Sequence, residues 1–169
     1  MTLVTETQRL QLHRFDANDA AFVLQLVNEP SWLEFIGDKG VRTLDDARAY
    51  IANGPAVMYA SHGHGLYRVE LKSTGEVIGM CGLIKRDTLP DVDIGYAFLP
   101  AHWGQGYAEE ATRATLAHAR DALGLARVVA IVTPTNARSI RLLEKIGLRY
   151  EKDFEARPGD VTSLFAIDF

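Results

Sequence analysis

Cysteine, proline and concentrated positive charge are all scarce in this chain of 169 residues. The single cysteine, Cys81, cannot close an internal disulfide, and it stands in the apolar run "VIGMCGLI", where a small hydrophobe packs well. Lys and Arg number 18 against 22 Asp and Glu, giving a net charge of −4 with no isolated basic cluster. That balance excludes the basic footprint of a protein built to hold nucleic acid or an anionic membrane. No apolar stretch approaches the roughly 18 to 20 residues needed to cross a bilayer, and no positively charged leader followed by an apolar run opens the chain. The expectation is a soluble cytoplasmic protein with neither nucleic-acid nor membrane partners.

What is present is hydrophobic content, 47% of residues, in a chain with only six prolines. That is enough for one compact domain spanning 1–169 with a real core. "RLQLHRF" alternates Leu10 and Leu12 with polar neighbours, the period of a half-buried strand. "DANDAAFVLQLVNE" repeats apolar positions at Phe22 and Leu26 and at Val23 and Val27, a helical spacing. A second helix fits residues 43 to 53, capped by Thr43 and stopped by Gly54 and Pro55. "GLYRVELK" and "EVIGMCGLIKR", joined by "STG", predict a hairpin turning on Gly75, and "VDIGYAFLP" continues as a further strand ended by Pro100.

Helix is expected from Tyr107 to Leu123 with Gly124 as its stop. "RVVAIVT" reads as a strand buried on both faces, "NARSIRLLEKIG" as a helix closed by Gly147, and "LRYEKDF" and "VTSLFAIDF" as two strands around "RPGD". The order predicts an α+β protein: a mixed, mostly antiparallel sheet of about seven strands, about four helices, and a parallel crossover at the centre. The C-terminal strands could be covered or could pair with another copy, so monomer and homodimer both remain open.

The most informative stretch is "PAHWGQGYAEEA", residues 100 to 111. A helix N-terminus offers unpaired backbone N–H groups and about half a positive charge, a favourable place for an anion. Gly104 and Gly106 remove Cβ atoms and permit positive φ, so successive N–H groups can converge, and Ala108 lets the first turn pack closely. The pattern alone fits an ordinary turn as well as a phosphate cradle. A dinucleotide-binding site would need the glycines after the first strand of a βαβ unit and a carboxylate ending the next strand. Here they follow the fourth expected strand, and the next one ends "VTPTN".

These segments resemble the GNAT superfamily of N-acetyltransferases, and within it the RimJ/RimL-type ribosomal-protein N-terminal acetyltransferases. The resemblance is carried by "ETQRLQLHRF", "VDIGYAFLPAHWGQGYAEEA", "TNARSIRLLEKIGL" and the order of elements from end to end. It implies a GNAT fold whose central parallel strands splay apart to hold acetyl-CoA, with the pantetheine arm bonded to backbone near Phe98 and Leu99. The loop Trp103, Gly104, Gln105, Gly106, Tyr107, Ala108 would hold the diphosphate, and Asn136 the pantetheine arm, a role compatible with capping the next helix. Trp103 stands where many members carry Arg or Gln. Glu109 replaces a small or hydroxyl residue and must turn to solvent so as not to repel the diphosphate.

Acetyl transfer needs a neutral amine, a positioned thioester, oxyanion stabilisation and a proton for the leaving thiolate. A lysine, with pKa about 10.4, is neutral so rarely at pH 7 that the deficit is about 4.6 kcal/mol, whereas an α-amine of pKa about 8 loses only about 1.4 kcal/mol. A weak or water-relayed base suffices for the second. Asp93, expected to alternate with Gly95 toward the open cleft, is the candidate base, with a solvated carboxylate or cross-strand ion partner as the alternative. Ser139 is the candidate proton donor by resemblance to RimL-like members, because the tyrosine used one turn later by many relatives is Leu143 here. The Leu99 N–H is the candidate oxyanion donor.

The acceptor is expected to be a protein N-terminus or a small-molecule amine, with Glu29, Trp32, Phe35 and Ile36 shaping a partly apolar pocket. A non-catalytic acyl-CoA-binding module is the alternative. His62 and His64 in "SHGHG" lack a third ligand nearby and are expected in a mobile glycine loop, with no metal. Arg138, Arg141 and Lys145 either reach nucleotide phosphates or form a solvated helix face.

Overall fold

The computed structural model describes residues 2–169. Eight strands form one sheet: β1 (Leu3–Glu6), β2 (Leu10–Arg14), β3 (Leu66–Leu71), β4 (Val77–Ile84), β5 (Asp93–Phe98), β6 (Arg127–Val132), β7 (Arg149–Arg157) and β8 (Asp160–Asp168). Their order across the sheet is β1-β2-β3-β4-β5-β6-β8-β7. Among the described residues only β5 and β6 pair in parallel. The helices are α1 (Ala20–Leu26), α2 (Pro30–Phe35), α3 (Leu44–Asn53), α4 (Pro55–His62), α5 (Tyr107–Asp121) and α6 (Ala137–Lys145).

The sheet therefore has eight strands rather than about seven. The extra one, β1, is four residues long and lies at the sheet edge, half exposed, where hydrophobic alternation is weak. Two short helices were also not expected, and both begin with proline. Pro55 was read as a stop, but a proline in the first helical turn gives up only an N–H that no intrahelical bond uses. Gly54 thus ends α3 and precedes α4, while Thr43 and Asp46 cap α3 reciprocally as a capping box. The "SHGHG" segment is correspondingly not a mobile loop. His62 ends α4, Gly63 closes it in the left-handed region at φ 74°, and His64 is buried with Nδ1 2.9 Å from the Leu83 carbonyl.

The decisive feature lies between β5 and β6. They share one bridge, Asp93 with Val129, supported by a Val129 N–H to Val92 carbonyl bond of 2.9 Å. Beyond it β5 stays paired with β4 as far as Phe98, and β6 with β8 as far as Val132, so the parallel pair opens into a slot. Period-2 alternation divides β5 between two faces. Ile94 packs with Leu116 and Ala119 of α5 and Leu143 of α6, while Ala97 packs with Val23, Trp32 and Ala47 from α1, α2 and α3. Each face of the slot is therefore backed by its own hydrophobic core.

Candidate active site

At the open end of the slot the chain leaves β5, makes a short 3-10 turn at Pro100–His102 and enters α5. Gly104 and Gly106 stand at φ 75° and 81°, where any residue with a Cβ is strained. Gly106 precedes α5 without any side-chain cap, and residues 103 to 106 are exposed. The first N–H groups of a fifteen-residue helix are thus open to a ligand.

Arg9, from the β1–β2 turn, braces this loop. Its Nη1 donates to the Gln105 carbonyl at 3.0 Å, its Nε donates to Glu110 at 2.9 Å, and its guanidinium lies 4.4 Å from the Tyr107 ring centre. Because the C=O and N–H of a trans peptide point in opposite directions, fixing the Gln105 carbonyl on Arg9 sends the Gly106 N–H to the other side. No sequence signal marks Arg9 for this role, since its partners lie 96 and 101 residues away.

Glu109 turns from the loop. It pairs with Lys145 of α6 and Arg113 of α5, each at 2.9 Å, and these hydrogen bonds hold its carboxyl below the usual range, Lys145 first. Trp103 donates its indole N–H to the Phe98 carbonyl at 2.9 Å, and Arg138 lies 4.0 Å over its ring. Lys145 is thereby engaged with Glu109, and Arg138 with Trp103.

Leu99 corrects one expectation. Its N–H donates to the Ile78 carbonyl at 2.9 Å and its carbonyl accepts from His102 N at 3.0 Å, so its backbone offers nothing to a ligand. In an antiparallel ladder the amide groups alternate sides, so those of Tyr96 and Phe98 turn toward the slot instead. The N–H groups of Tyr96 and Phe98, rather than that of Leu99, are the main-chain donors on the slot side of β5.

Asp93 is also placed differently from expectation. It sits at the closed end, 1% exposed, and both carboxylate oxygens lie 3.2 Å from Arg86 Nε. Burial pushes its carboxyl up from the ordinary carboxylate range, with Arg86 opposing. The segment expected to shape an acceptor pocket lies on this side. Thr133, just past β6, donates its hydroxyl to the Phe35 carbonyl at 3.2 Å, tying the end of α2 to the end of β6. Trp32 is buried with its indole N–H unpartnered, while Glu29 precedes α2 and Ile36 is exposed.

Asn136 caps α6, its Oδ1 accepting from the Ser139 N–H at 3.3 Å. Ser139 Oγ lies 2.6 Å from the hydroxyl of Tyr96, which reaches over from β5. Burial pushes the Tyr96 phenol up to about 12. Leu143 is core, as its place on the inner face of α6 requires, but a tyrosine nonetheless enters the site from the opposite wall. Among the described residues no cluster of His, Cys, Asp and Glu could hold a metal, and no helix is long and apolar enough to cross a membrane.

Residues 9–149 match the family described as acetyltransferase (GNAT) domain. The chain belongs to the GNAT acetyltransferases. It is 32% identical over 149 residues to YkkB of Bacillus subtilis (strain 168), covering 86% of this chain and 85% of that protein. The crystal structure of a GNAT-family acetyltransferase from Bacillus anthracis superposes with a TM-score of 0.81 at 26% identity, over 99% of this chain and 98% of the other. RimL, the ribosomal L7/L12 alpha-N-protein acetyltransferase solved with coenzyme A, shares the fold with a TM-score of 0.84 at 17% identity, over 99% and 98%. GNAT enzymes take the acetyl group from acetyl-CoA, and in this chain the splayed pair opens beside the glycine loop and the uncapped start of α5.

Proposed function

We propose that the protein, acting as one domain over residues 1–169, transfers the acetyl group of acetyl-CoA directly to a primary amine in a ternary complex. The acceptor is a protein N-terminus or a small-molecule amine, as RimL, an alpha-N-protein acetyltransferase, suggests by fold. The observation that carries the reading is the single bridge between β5 and β6, which leaves the edges of both strands open beside an uncapped helix N-terminus.

The loop from Trp103 to Ala108 takes the diphosphate, and the slot-facing Phe98 N–H and the side-chain amide nitrogen of Asn136 take the pantetheine arm. The amine approaches from the α1–α3 face, where Asp93 accepts its proton through water once the tetrahedral adduct forms. The slot-facing Tyr96 N–H stabilises the oxyanion, and Ser139 on the α5–α6 face supplies a proton to sulfur. Asp93 and Tyr96, the residue that meets Ser139, lie on opposite faces of β5 and about 10 Å apart along the strand, so the amine proton reaches Asp93 through water.

A non-catalytic acyl-CoA-binding module is the second reading, favoured by the closed ion pair of Asp93 with Arg86. Thiol release from acetyl-CoA across a panel of free-amino-terminal peptides and small amines separates the two. Amine-dependent release that falls in Asp93→Asn supports the enzyme, whereas tight acetyl-CoA binding with no release for any amine supports the module.

A further inference from the structure

We propose that Tyr96 is a positioning residue that turns the Ser139 hydroxyl proton into the slot, so that the departing coenzyme A sulfur meets a two-hydroxyl relay built from both walls. The assignment rests on the acetyl transfer proposed above and names how the leaving group acquires its proton.

Tyr96 is the third residue beyond the bridge that joins β5 to β6, on the face backed by α5 and α6. Its hydroxyl crosses the opening to α6, 2.6 Å from Ser139 Oγ and also within hydrogen-bond reach of the Ser139 carbonyl. The Ser139 carbonyl lies farther away, at 3.3 Å. Either oxygen of this pair can donate; a phenol is a stronger acid than an aliphatic alcohol, and the relay takes Tyr96 as the donor to Ser139 Oγ. With the phenol donating, Ser139 Oγ keeps its own proton without a protein acceptor among the described residues. A hydroxyl that already accepts a hydrogen bond is the better donor for it. The backbone under Ser139 is fixed by the Asn136 cap, so the direction of that proton is set from two sides.

The surroundings suit the task. Burial keeps the Tyr96 phenol protonated at physiological pH. The neighbouring Cys81 on β4 is likewise held as a thiol by burial and pairs with Thr115 of α5, so it does not compete for the relay. When the adduct collapses, the C–S bond breaks with its electron pair going to sulfur. The Ser139 proton then passes to sulfur and the Tyr96 proton to Ser139 Oγ. The amine proton taken up by Asp93 passes on to solvent water, from which the phenolate recovers one. Since a phenol is a weaker acid than a thiol, the pair acts first by hydrogen bonding to the charge growing on sulfur, and transfer completes as the amine proton arrives. Leu143, in the helix position that lacks the family's tyrosine, costs the enzyme nothing in this arrangement.

The probe is coenzyme A itself. Its thiol, bound to the protein, is titrated by thiolate ultraviolet absorbance in wild type, Tyr96→Phe, Ser139→Ala, Ser139→Thr and the Tyr96→Phe/Ser139→Ala double variant. A donor aimed at sulfur favours the thiolate, so the bound thiol in wild type titrates about one unit below free coenzyme A, a tenfold gain in thiolate. Tyr96→Phe and Ser139→Ala each remove that shift, the double variant removes no more than either, and Ser139→Thr keeps it. With the most rapidly acetylated amine of the panel, each single variant also lowers kcat about 10- to 100-fold while the KM for acetyl-CoA stays within about twofold. Should Tyr96→Phe fail to fold, the two Ser139 variants carry the same comparison. Equal titration of bound coenzyme A in wild type and Ser139→Ala overturns the relay while leaving acetyl transfer intact. Failure of coenzyme A to bind wild type overturns both.

Discussion

At its start, β5 is paired on both sides, and Asp93 lies there almost without solvent contact, bound to Arg86. Five residues later, at Phe98, the same strand is paired on one side only, and it runs into an exposed loop with two left-handed glycines. The closed end concentrates its effect in one desolvated side chain, where a neighbouring charge changes the proton affinity strongly. The open end works through main-chain N–H groups, whose direction depends on backbone conformation and on Arg9 behind the loop. Changes at the first should therefore alter the chemical step, and changes at the second should alter the capture of acetyl-CoA.

The comparison is broken most severely by Gly106→Glu. It puts a side chain at φ 81°, 3.4 Å from Arg9 when only a Cβ is added, and a negative charge at the anion site. Calorimetry should show acetyl-CoA affinity reduced at least about 100-fold, from backbone strain and charge repulsion together. Asp93→Asn should do the reverse, lowering kcat/KM by about 100- to 10,000-fold with acetyl-CoA affinity nearly unchanged.

The pH profile sharpens the distinction. Asp93 works as a base only when ionised, and burial raises its proton affinity, so the acid limb of wild-type kcat/KM should lie above the ordinary carboxylate value of about 3.9. Arg86 opposes that rise. Arg86→Met should therefore move the limb to higher pH, and Asp93→Asn should abolish it. An Arg86→Met limb moving toward acid would contradict the assignment.

Arg9→Met tests the open end more gently. Release of the Gln105 carbonyl should weaken acetyl-CoA binding about 5- to 10-fold, the value of one or two lost charge-assisted hydrogen bonds, with kcat little changed. Glu109→Gln should have the smallest effect. Its pairs with Arg113 and Lys145 are at the surface, so thermal unfolding should show at most a slight loss of stability that vanishes at high salt. Acetyl-CoA affinity should hold or rise.

The features legible in the sequence are those set within a few residues. The glycine loop follows from its demand for positive φ, the Asn136 cap from its place before "ARSIRLL", and the mixed sheet from alternation and turn residues. The features missed depend on contacts distant in sequence or on an ambiguous signal. Pro30 and Pro55 stop one helix as readily as they start another. Arg9 reaches the loop only after β1 and β2 join the sheet, and Tyr96 meets Ser139 across 43 residues. Alternation points Asp93, with Gly95, toward an open cleft, but solvent is excluded there by the bridge to β6, which no local pattern encodes. The engagement of the Leu99 N–H follows from strand register, which was equally invisible.

Titration of the wild-type protein with acetyl-CoA, by calorimetry with Gly106→Glu and Asp93→Asn alongside, tests the central claim most directly. The slot between β5 and β6 should give saturable one-site binding that survives Asp93→Asn and is lost in Gly106→Glu. No saturable binding to wild type, or equal binding to Gly106→Glu, would contradict it.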